Sequence, residues 1–326
     1  MDSSLQPLVK IIHSLLDRLP SRAQDIVKAP LTRYALGAWL ALRLLRGLNS
    51  QLSRYTLNNY TTLSKFEPTN ELAVVTGGSS GIGWQIMKDL SALNVRVVIL
   101  DVQEPKGPLP RGVWFYKTDI TSTETLKITA DKIRREHGDP TILVNNAGVG
   151  NGGSIIDKSE ELIRRTFEVN LMANYWTVKE FLPAMVRNNH GHVVSIASVA
   201  SFVSFARSSD YCCSKVGVLA FHEALTQEIR HQYGAKRIRT SIIHPLWTRT
   251  PMVEALEKQG AKFGNNILKP EDVSGAVVKQ IVSGSSGQIV LPANHQHLAR
   301  LRAYPIWLQE FVRNQPSKMS QKAPRV

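Results

Sequence analysis

Residues Leu72-Ala73-Val74-Val75-Thr76-Gly77-Gly78-Ser79-Ser80-Gly81-Ile82-Gly83 pass from a short apolar run into a glycine-rich loop. The apolar run is typical of a buried strand, and the residues that follow the loop have the pattern of a helix. Glycines in such a loop permit a tight turn and a close approach to a pyrophosphate, while the helix N-terminus offers free N–H groups to the phosphates. The stretch predicts a nucleotide-binding loop with these candidate contacts: Gly77, Ser79, Gly81, Ile82 and Gly83.

The same residues also match the motif of a different class of site. Gly77-Gly78-Ser79-Ser80-Gly81 also matches the nucleophile elbow of serine hydrolases, which likewise lies between a strand and a helix. In that interpretation Ser79 would be the nucleophile, and an acid and a histidine would follow later in the chain. The interpretation leaves Gly83 and the downstream motifs unexplained.

Residues 70–292 alternate strand-like and helix-like segments around this loop. The strand-like segments are continuous apolar runs, which indicates burial on both faces and hence a parallel sheet. We expect an α/β fold with a doubly wound, Rossmann-type parallel sheet of about seven strands. The predicted organisation is a helical N-terminal extension over 1–66, one central domain that carries the chemistry over 67–292, and a C-terminal helix with a disordered tail from residue 314 over 293–326.

Asp101 comes directly after the second apolar run, 97–100, and twenty residues after Gly81. An acid at this point can accept hydrogen bonds from the ribose of an adenosine. A solvated aspartate in a turn would be the simpler explanation for Asp101 taken alone. Its position relative to the glycines favours the nucleotide interpretation.

Tyr211 and Lys215 lie one helical turn apart, at the start of a helix-like segment, so their side chains share one face. A phenol with a pKa of ~10 is a poor base at neutral pH, and a nearby ammonium lowers that pKa by stabilising the phenolate. Ser198 follows the apolar run 192–197 and could donate a hydrogen bond to a substrate oxygen. For Tyr211 or Ser198 taken alone, a purely structural role is the better explanation: Tyr211 would anchor a helix and Ser198 would cap a loop.

These motifs occur in the order and at the spacings of one known family: Thr76-Gly77-x-x-x-Gly81-x-Gly83, Asn145-Asn146-Ala147-Gly148, Asn170, Ser198 and Tyr211-x-x-x-Lys215. Over residues 70–292 the chain thereby resembles the short-chain dehydrogenase/reductase family. Residues 191–198 and 212–215 look most similar to the subgroup with retinol and hydroxysteroid dehydrogenases of the endoplasmic reticulum and lipid droplets. The resemblance implies hydride transfer between a nicotinamide cofactor and a lipophilic alcohol or carbonyl that is retinoid-, steroid- or lipid-like.

The resemblance also implies catalytic roles for matched positions. Tyr211 would be the general acid/base, and Lys215 would lower its pKa and hold the nicotinamide ribose. Ser198 would orient the substrate oxygen. Asn170, in Phe167-Glu168-Val169-Asn170, resembles the asparagine that keeps a proton-relay water in place.

Further matched positions would contact the cofactor. Asp119 resembles the aspartate beside the adenine ring, and Asn146, Ala147 and Gly148 resemble the segment that lines its ribose side. Thr250 matches the threonine near the carboxamide. The family usually has glycine directly after Pro245, where this chain has Leu246, so the assignment of Thr250 is weaker and the loop is expected to be stiffer.

The same region bears on which coenzyme is bound. Asp101 would repel a 2′-phosphate and bind a free ribose hydroxyl. Ser80 and Val102 stand where NADP-dependent relatives often carry a basic residue. NAD is therefore the expected coenzyme, and NADP is left open. Both cysteines, Cys212 and Cys213, occupy variable positions of the Tyr211-x-x-x-Lys215 motif, and packing is their expected role.

The formal net charge of +14 is concentrated at the two ends. Residues 1–66 hold nine lysines or arginines against three acidic residues, and residues 295–326 hold six against one. Residues 5–19 have the spacing of an amphipathic helix. The uncharged run 34–42 is shorter than the ~20 residues that a membrane span requires, so a helix lying in the membrane interface is expected over 34–48.

These ends predict a membrane surface as partner, on the cytosolic face of the endoplasmic reticulum or of lipid droplets, with a single transmembrane anchor as the alternative. Packing of the end segments on the central domain or on a second subunit is also open, which leaves room for a homodimer. Aromatic residues among arginines in 297–313 suit either a membrane interface or a lid over the substrate cleft. Nucleic acid is not expected, because the basic residues stand among leucines and tryptophans.

Two rival functions remain at this point. One is a catalytically silent nucleotide-binding scaffold, which the intact Ser198, Tyr211 and Lys215 set disfavours. The other is the serine hydrolase built on Ser79. Coenzyme-dependent turnover of a lipophilic alcohol would separate both from the expected oxidoreductase.

Overall fold

The computed structural model describes residues 20–21, 30–62, 66–258, 260–261, 263 and 267–320. The chain divides into two compact units, Met1–Thr56 and Leu57–Val326. Within the described part of the first unit, α1 (Pro30–Leu57) is a 28-residue helix, longer than the predicted 34–48. The predicted amphipathic helix over 5–19 lies outside the described residues. Among the residues that are described, no helix combines the length and apolar character needed to cross a bilayer.

Seven strands of the described second unit form one parallel sheet in the order β3-β2-β1-β4-β5-β6-β7. The strands are β1 (Leu72–Thr76), β2 (Arg96–Asp101), β3 (Val113–Lys117), β4 (Ile142–Asn145), β5 (His192–Ile196), β6 (Arg239–Pro245) and β7 (Gly287–Leu291). The apolar runs 72–76, 97–100 and 192–197 coincide with β1, β2 and β5 to within one residue at each end, because buried apolar runs mark parallel strands clearly. The predicted doubly wound α/β fold is confirmed.

Helices cover both faces of the sheet. They are α2 (Gly81–Ala92), α3 (Thr123–His137), α4 (Glu160–Phe167), α5 (Ala173–Asn188), α6 (Ser209–Gln227), α7 (Pro251–Lys258), α8 (Pro270–Ser283) and α9 (Ile306–Ser320). Val74 and Leu100 pack with Phe181 on one face, and Val75 and Ile99 pack on the other. Alternate residues of each strand thus serve two cores, which explains why the strands read as unbroken apolar runs.

A π-helical turn, Glu168–Met172, lies between α4 and α5. A π turn inserts one residue into a helix and is frequently found at functional sites. Asn170 lies in this turn and is buried. Hydrophobic spacing does not reveal the turn, because the apolar pattern continues through it.

The second unit begins at Leu57, before the predicted limit at residue 67. Asn58 explains the difference: its side-chain nitrogen donates to Ser285 Oγ at 3.0 Å, and its side-chain oxygen accepts the Ser286 N–H at 2.8 Å. Arg239, which is almost fully buried, donates to the Asn58 carbonyl at 3.2 Å. These bonds fix residues 58–62 to the sheet.

The C-terminal helix α9 extends to Ser320, past residue 314, where the sequence was expected to become disordered. The Ser317 hydroxyl accepts the backbone N–H of Ala206 at 3.2 Å and so secures this part of the helix. A polar helix held by a tertiary contact has the composition of a disordered tail, which is why the expectation was wrong for residues 314–320. Residues 321–326 lie outside the described part of the chain.

Candidate active site

A cleft of about 1220 Å³ opens at the carboxyl ends of the strands. It lies where the strand order changes direction, between β1 and β4, which is the usual ligand position in open parallel sheets. Most of the predicted site residues line it together: Gly77, Gly81, Ile82, Asp101, Asp119, Asn146, Ala147, Gly148, Ser198, Tyr211, Lys215 and Thr250. Ser79, Gly83 and Asn170 are not among the lining residues and stand behind it.

The glycine loop requires glycine for two separate reasons. Gly77 and Gly81 have φ angles of +64° and +54°, a region that side chains disfavour. A Cβ on Gly83 would lie 2.3 Å from the Gly77 carbonyl oxygen, so the start of α2 packs directly against the loop. Gly78, which the motif treats as variable, is equally constrained, because a Cβ there would lie 2.5 Å from Ile99 side-chain atoms. The resulting bare-backbone cradle fits the pyrophosphate of a dinucleotide.

Ser79 does not have the surroundings of a nucleophile. Its side chain is 4% exposed, and among the described residues its hydroxyl has no hydrogen-bond partner. A serine nucleophile requires an adjacent base to take its proton. The hydrolase alternative is therefore excluded, and the backbone of Ser79 has a different task.

Asp101 is fixed at the end of β2 by two backbone groups. Its carboxylate accepts the N–H of Ser79 at 3.0 Å and the N–H of Gln103 at 3.0 Å. The first bond ties the carboxylate to the glycine loop. Asp101 therefore lines the cleft directly beside the glycine loop.

The segment after β4 supports the glycine loop from beneath. The Asn146 side chain donates to the carbonyls of Thr76 and Gly77 at 2.9 and 3.2 Å. The Thr76 hydroxyl accepts the N–H groups of Asn146 and Ala147, each at 3.0 Å. The sequence predicted that Asn146 and Ala147 line the cofactor's ribose side, and the structure adds a bracing role for both.

Tyr211 and Lys215 lie on one face of α6, as their spacing predicts. The Lys215 Nζ donates to the Ile196 carbonyl at 2.9 Å and lies 5.7 Å from the centre of the Tyr211 ring. Burial lowers the pKa of Lys215 to about 8, because the cleft wall strips water from its ammonium group. Lys215 is thus held in place by the strand end that precedes Ser198.

The structure does not show the expected lowering of the Tyr211 pKa by Lys215. Burial raises the pKa of Tyr211 to about 12, and hydrogen bonding by Ser198 opposes this rise only in part. The ammonium of Lys215 is directed to the Ile196 carbonyl, which leaves burial as the larger effect. The phenol in this cleft is therefore protonated at neutral pH and able to donate.

Ser198 begins a short 3-10 turn after β5. Its hydroxyl accepts the Ala200 N–H at 3.1 Å and donates to the Pro245 carbonyl at 3.3 Å. Its own carbonyl accepts from Nδ1 of the buried His244 at 3.1 Å. The serine is consequently anchored on both sides and faces the cleft beside Tyr211.

Asn170 stands behind the Tyr211–Lys215 face. Its side chain accepts the Val149 N–H at 2.8 Å and donates to the Val149 carbonyl at 2.9 Å and to Ser214 Oγ at 3.0 Å. A Cβ on Gly148 would lie 3.4 Å from Asn170 Oδ1 and 3.6 Å from Lys215 Nζ, so Gly148 separates these two groups. Asn170 therefore connects the segment after β4 to α6.

Asp119 and Thr250 occupy opposite parts of the cleft. The Asp119 carboxylate accepts the N–H and the hydroxyl of Thr121 at 2.9 and 2.7 Å, which closes the turn after β3. Thr250 packs against Gly81 of the glycine loop, where a Cβ would approach its methyl group to 3.1 Å. The loop that carries Leu246 is held to β7 by the Leu246 N–H, which donates to the Leu291 carbonyl at 2.8 Å.

An apolar wall lines part of the cleft, and the sequence indicated only the portion from 297–313, as a candidate lid. Trp247 packs edge-on against Phe205 and lies 4.5 Å, centre to centre, from the Phe263 ring. Further apolar lining residues come from the C-terminal segment and from the loops after β4 and β5: Val149, Val199, Val203, Leu298, Phe311 and Val312. Their spacing in the sequence carries no signal, because separate segments contribute them only after folding.

The family model described as short chain dehydrogenase matches residues 71–261. Dehydrogenase RED2 of Cochliobolus heterostrophus is 39% identical over 223 residues, which is 68% of this chain and 84% of the relative. Human estradiol 17-beta-dehydrogenase 11 is 32% identical over 242 residues, or 72% and 78% of the two chains. Retinol dehydrogenase 10-B of Danio rerio is 32% identical over 231 residues, or 62% and 68%.

Solved structures have the same fold. The ligand-free aldohexose dehydrogenase of Thermoplasma acidophilum matches with a TM-score of 0.60 at 25% identity and covers 68% of this chain and 92% of its own. The expected similarity to retinol and hydroxysteroid dehydrogenases is confirmed by the relatives.

Proposed function

Because the chain belongs to the short-chain dehydrogenase family, we propose that its cleft interconverts a lipophilic alcohol and the matching carbonyl, with NAD as the preferred coenzyme. The protein is a nicotinamide-dependent oxidoreductase acting on alcohol or carbonyl groups. The proposal concerns its substrate, its preferred coenzyme, the residues that act in catalysis and its location in the cell.

One observation carries the choice of substrate: apolar side chains from several segments line the same cleft as Tyr211. Trp247, Phe205 and Phe311 supply aromatic faces, and leucine and valine side chains also line the cleft. Such a wall gains free energy by removing apolar substrate surface from water, at about 25 cal/mol per Å². A hydrophilic alcohol has little apolar surface to bury against this wall and would not gain this free energy.

The chain's own residues support a proton transfer at the substrate oxygen. When bound, the nicotinamide ring supplies or accepts the hydride. Tyr211, protonated in this cleft, donates its proton to the carbonyl oxygen during reduction and is left as the phenolate. Oxidation runs the same step backwards, with the phenolate form of Tyr211 taking the hydroxyl proton. Ser198 hydrogen-bonds the same oxygen, and Lys215 provides positive charge beside the phenol. Asn170 holds the Val149 segment behind them.

The glycine cradle and Asp101 support NAD. The backbone from Gly77 to Gly83 leaves room for a pyrophosphate, and Asp101 is already aligned by the Ser79 N–H. A carboxylate at this position accepts hydrogen bonds from ribose hydroxyls and repels a 2′-phosphate. Among the lining residues near it, Ser80, Val102 and Gln103 carry no positive charge. Asp119, Asn146, Ala147, Gly148 and Thr250 would complete the coenzyme site.

We extend the proposal to location at a cytosolic membrane surface of the endoplasmic reticulum or lipid droplets. Helix α1 contains no acidic residue, and the Arg43 guanidinium lies 4.8 Å from the Trp39 ring centre. Arginine and tryptophan side by side suit the interface between headgroups and acyl chains. Each basic residue near an anionic leaflet contributes about 1 kcal/mol to binding. A lipophilic substrate would then reach the cleft from the membrane.

A matched alcohol panel tests the substrate class. Purified protein is assayed with NAD and, separately, with retinol, estradiol, glucose and glycerol, and coenzyme reduction is followed by absorbance. We expect turnover of at least one lipophilic alcohol and none of the hydrophilic pair. Turnover confined to glucose or glycerol would contradict the proposed substrate class.

Vesicle flotation tests the location. Wild-type protein should float with vesicles containing phosphatidylserine, and an Arg43→Glu, Arg46→Glu double variant should float less. A Lys127→Glu, Arg135→Glu double variant, at two exposed basic residues of α3, is the charge-matched control and should float like the wild type. Equal flotation of all three proteins would remove the role of α1.

A further inference from the structure

Lys158 and Asp210 form an ion pair that is almost completely buried directly beside Tyr211. The Lys158 Nζ lies 2.6 Å from Asp210 Oδ1, and the two side chains are only 3% and 2% exposed. Burying a charged pair costs desolvation energy that its mutual attraction often does not recover, so such a pair is poor evidence for stability alone. Its position suggests a role in geometry.

The pair connects two parts of the active site that are 52 residues apart. The Lys158 Nζ also donates to the Asn151 carbonyl at 2.8 Å, within a loop that lines the cleft. The second carboxylate oxygen of Asp210 accepts the Thr166 hydroxyl at 3.0 Å. Asp210 lies in the first turn of α6 and immediately precedes Tyr211. Both charges are thus fully hydrogen-bonded.

The loop over residues 149–158 passes across the face of Tyr211. Gly150 lies against the tyrosine ring, because a Cβ there would approach Cδ2 to 3.3 Å. The Gly153 N–H donates to the Arg207 carbonyl at 3.1 Å, and a Cβ on Gly153 would lie 3.3 Å from Lys158 Cε. The first residue of the loop, Val149, is held by Asn170. Lys158 therefore fastens the far end of the loop.

We propose that Lys158 and Asp210 are positioning residues that brace this loop against Tyr211 and thereby set the wall of the substrate side of the cleft. Lys158, at the end of the loop, binds the Asn151 carbonyl near the start of the loop. Its ion pair with Asp210 ties the end of the loop to the first turn of α6. The polar partners of Lys158 and Asp210 among the described residues are Asn151, Thr166 and each other, with none from the glycine cradle. The brace is therefore expected to act on the substrate side of the cleft. The proposal rests on Tyr211 acting as the proton-transfer group.

Three variants test the brace. Lys158→Met removes the ammonium, Asp210→Asn removes the charge but keeps an acceptor for Thr166, and Lys158→Met/Asp210→Leu removes both charges. Glu160→Gln is the control, because the Arg164–Glu160 pair has the same chemistry at 74% and 71% exposure. The double variant avoids an unpaired buried charge and is expected to melt closer to the wild type than either single variant does.

Hydrogen exchange gives a readout that needs no substrate. The amides of residues 150–157 should exchange faster in both single variants and remain fast in the double variant, while NADH affinity, measured by fluorescence titration, stays within twofold of wild type. The Glu160→Gln control should leave the loop unchanged. If the double variant restores wild-type loop exchange, or if the variants lose NADH affinity together with loop protection, the brace is wrong.

Steady-state kinetics measure the consequence at the substrate. With retinol or estradiol as the probe, well below the melting temperature, the KM for the alcohol should rise about tenfold in the double variant, because small displacements of a positioning wall are costly. An unchanged alcohol KM in the folded double variant would contradict the proposal. Absence of turnover by the wild type with both probes would instead count against the proposed substrate class, and hydrogen exchange would then decide on the brace.

Discussion

The Nζ atom of Lys215 lies 5.7 Å from the centre of the Tyr211 ring and is turned toward the Ile196 carbonyl, to which it donates at 2.9 Å. Helical spacing brings the two residues to one face, and the strand end before Ser198 then fixes the lysine. The tyrosine keeps its proton because burial outweighs the neighbouring charge. This arrangement has measurable consequences for pH dependence.

Carbonyl reduction should slow as the pH rises through about 8, where the buried Lys215 loses its charge. Tyr211 remains protonated to higher pH, because burial raises its pKa to about 12. The decline in rate therefore reports the deprotonation of Lys215. The expected plot of rate against pH is flat on the acid side and falls on the alkaline side. The measurement is kcat for reduction of a lipophilic carbonyl across this range. A kcat that is constant or rises through this range would contradict the assignment.

Gly83→Ala should abolish coenzyme binding, because the added methyl group would meet the Gly77 carbonyl oxygen at 2.3 Å and the Asn146 side chain at 2.5 Å. Gly275→Ala is the matched control: it lies in α8 with no heavy atom within 4 Å of the new methyl group. The control should bind NADH normally and be more stable by roughly 0.5–1 kcal/mol. Titration of NADH fluorescence compares the two variants, and normal affinity in Gly83→Ala would show that the cradle is not needed.

Wild-type protein should bind NADH at least tenfold more tightly than NADPH, because Asp101 repels the 2′-phosphate. Asp101→Asn removes the negative charge but keeps a side-chain oxygen for the Ser79 N–H, so the difference between the two coenzymes should narrow. Calorimetric titration with both coenzymes measures this. Equal or tighter binding of NADPH by the wild type would reverse the inferred preference.

Acid should destabilise the protein before its carboxylates titrate. Burial lowers the pKa of His192 to about 3 and the pKa values of His222 and His244 to about 4. In the unfolded chain these groups take up protons near pH 6.5, so the stability of the neutral native forms is present above that pH and is lost as it falls toward 4. Each histidine contributes about 1.4 kcal/mol per pH unit in this window.

Urea unfolding at several pH values gives the slope. His222→Gln, which cannot titrate, should show a shallower decline than the wild type. His190 does not confuse the comparison: its pKa is raised by the hydrogen bond to Glu71, so it is charged in both states within this window. An unfolding free energy that stays constant or increases as the pH falls would contradict the buried neutral histidines.

Local sequence patterns predicted the features that depend on nearby residues. The glycine loop, the Tyr211–Lys215 face and the strand limits all follow from spacing within one element or across one turn. Gly78 was missed because its constraint comes from Ile99 on the neighbouring strand, which no spacing within the loop reveals. Lys158 and Asp210 were missed for the same reason, since only the folded chain brings them together.

The sequence also does not show which of two opposing energetic effects is larger. The pattern correctly placed Lys215 beside Tyr211, but the sign of the change in the tyrosine pKa depends on burial, which the sequence does not give. The helical residues 314–320 have the composition of a disordered tail, and the contact of Ser317 with the Ala206 N–H decides otherwise. Such outcomes depend on tertiary contacts rather than on local propensity.

The most direct test of the proposed chemistry is coenzyme-coupled turnover of retinol or estradiol by the wild type and by Tyr211→Phe, with NADH binding measured on both. The phenylalanine keeps the ring that packs on Gly150 but has no proton to exchange with the substrate oxygen. We expect the variant to lose about 10²–10⁴ in kcat and to bind NADH as the wild type does. Turnover by Tyr211→Phe within threefold of the wild type would contradict the role of Tyr211.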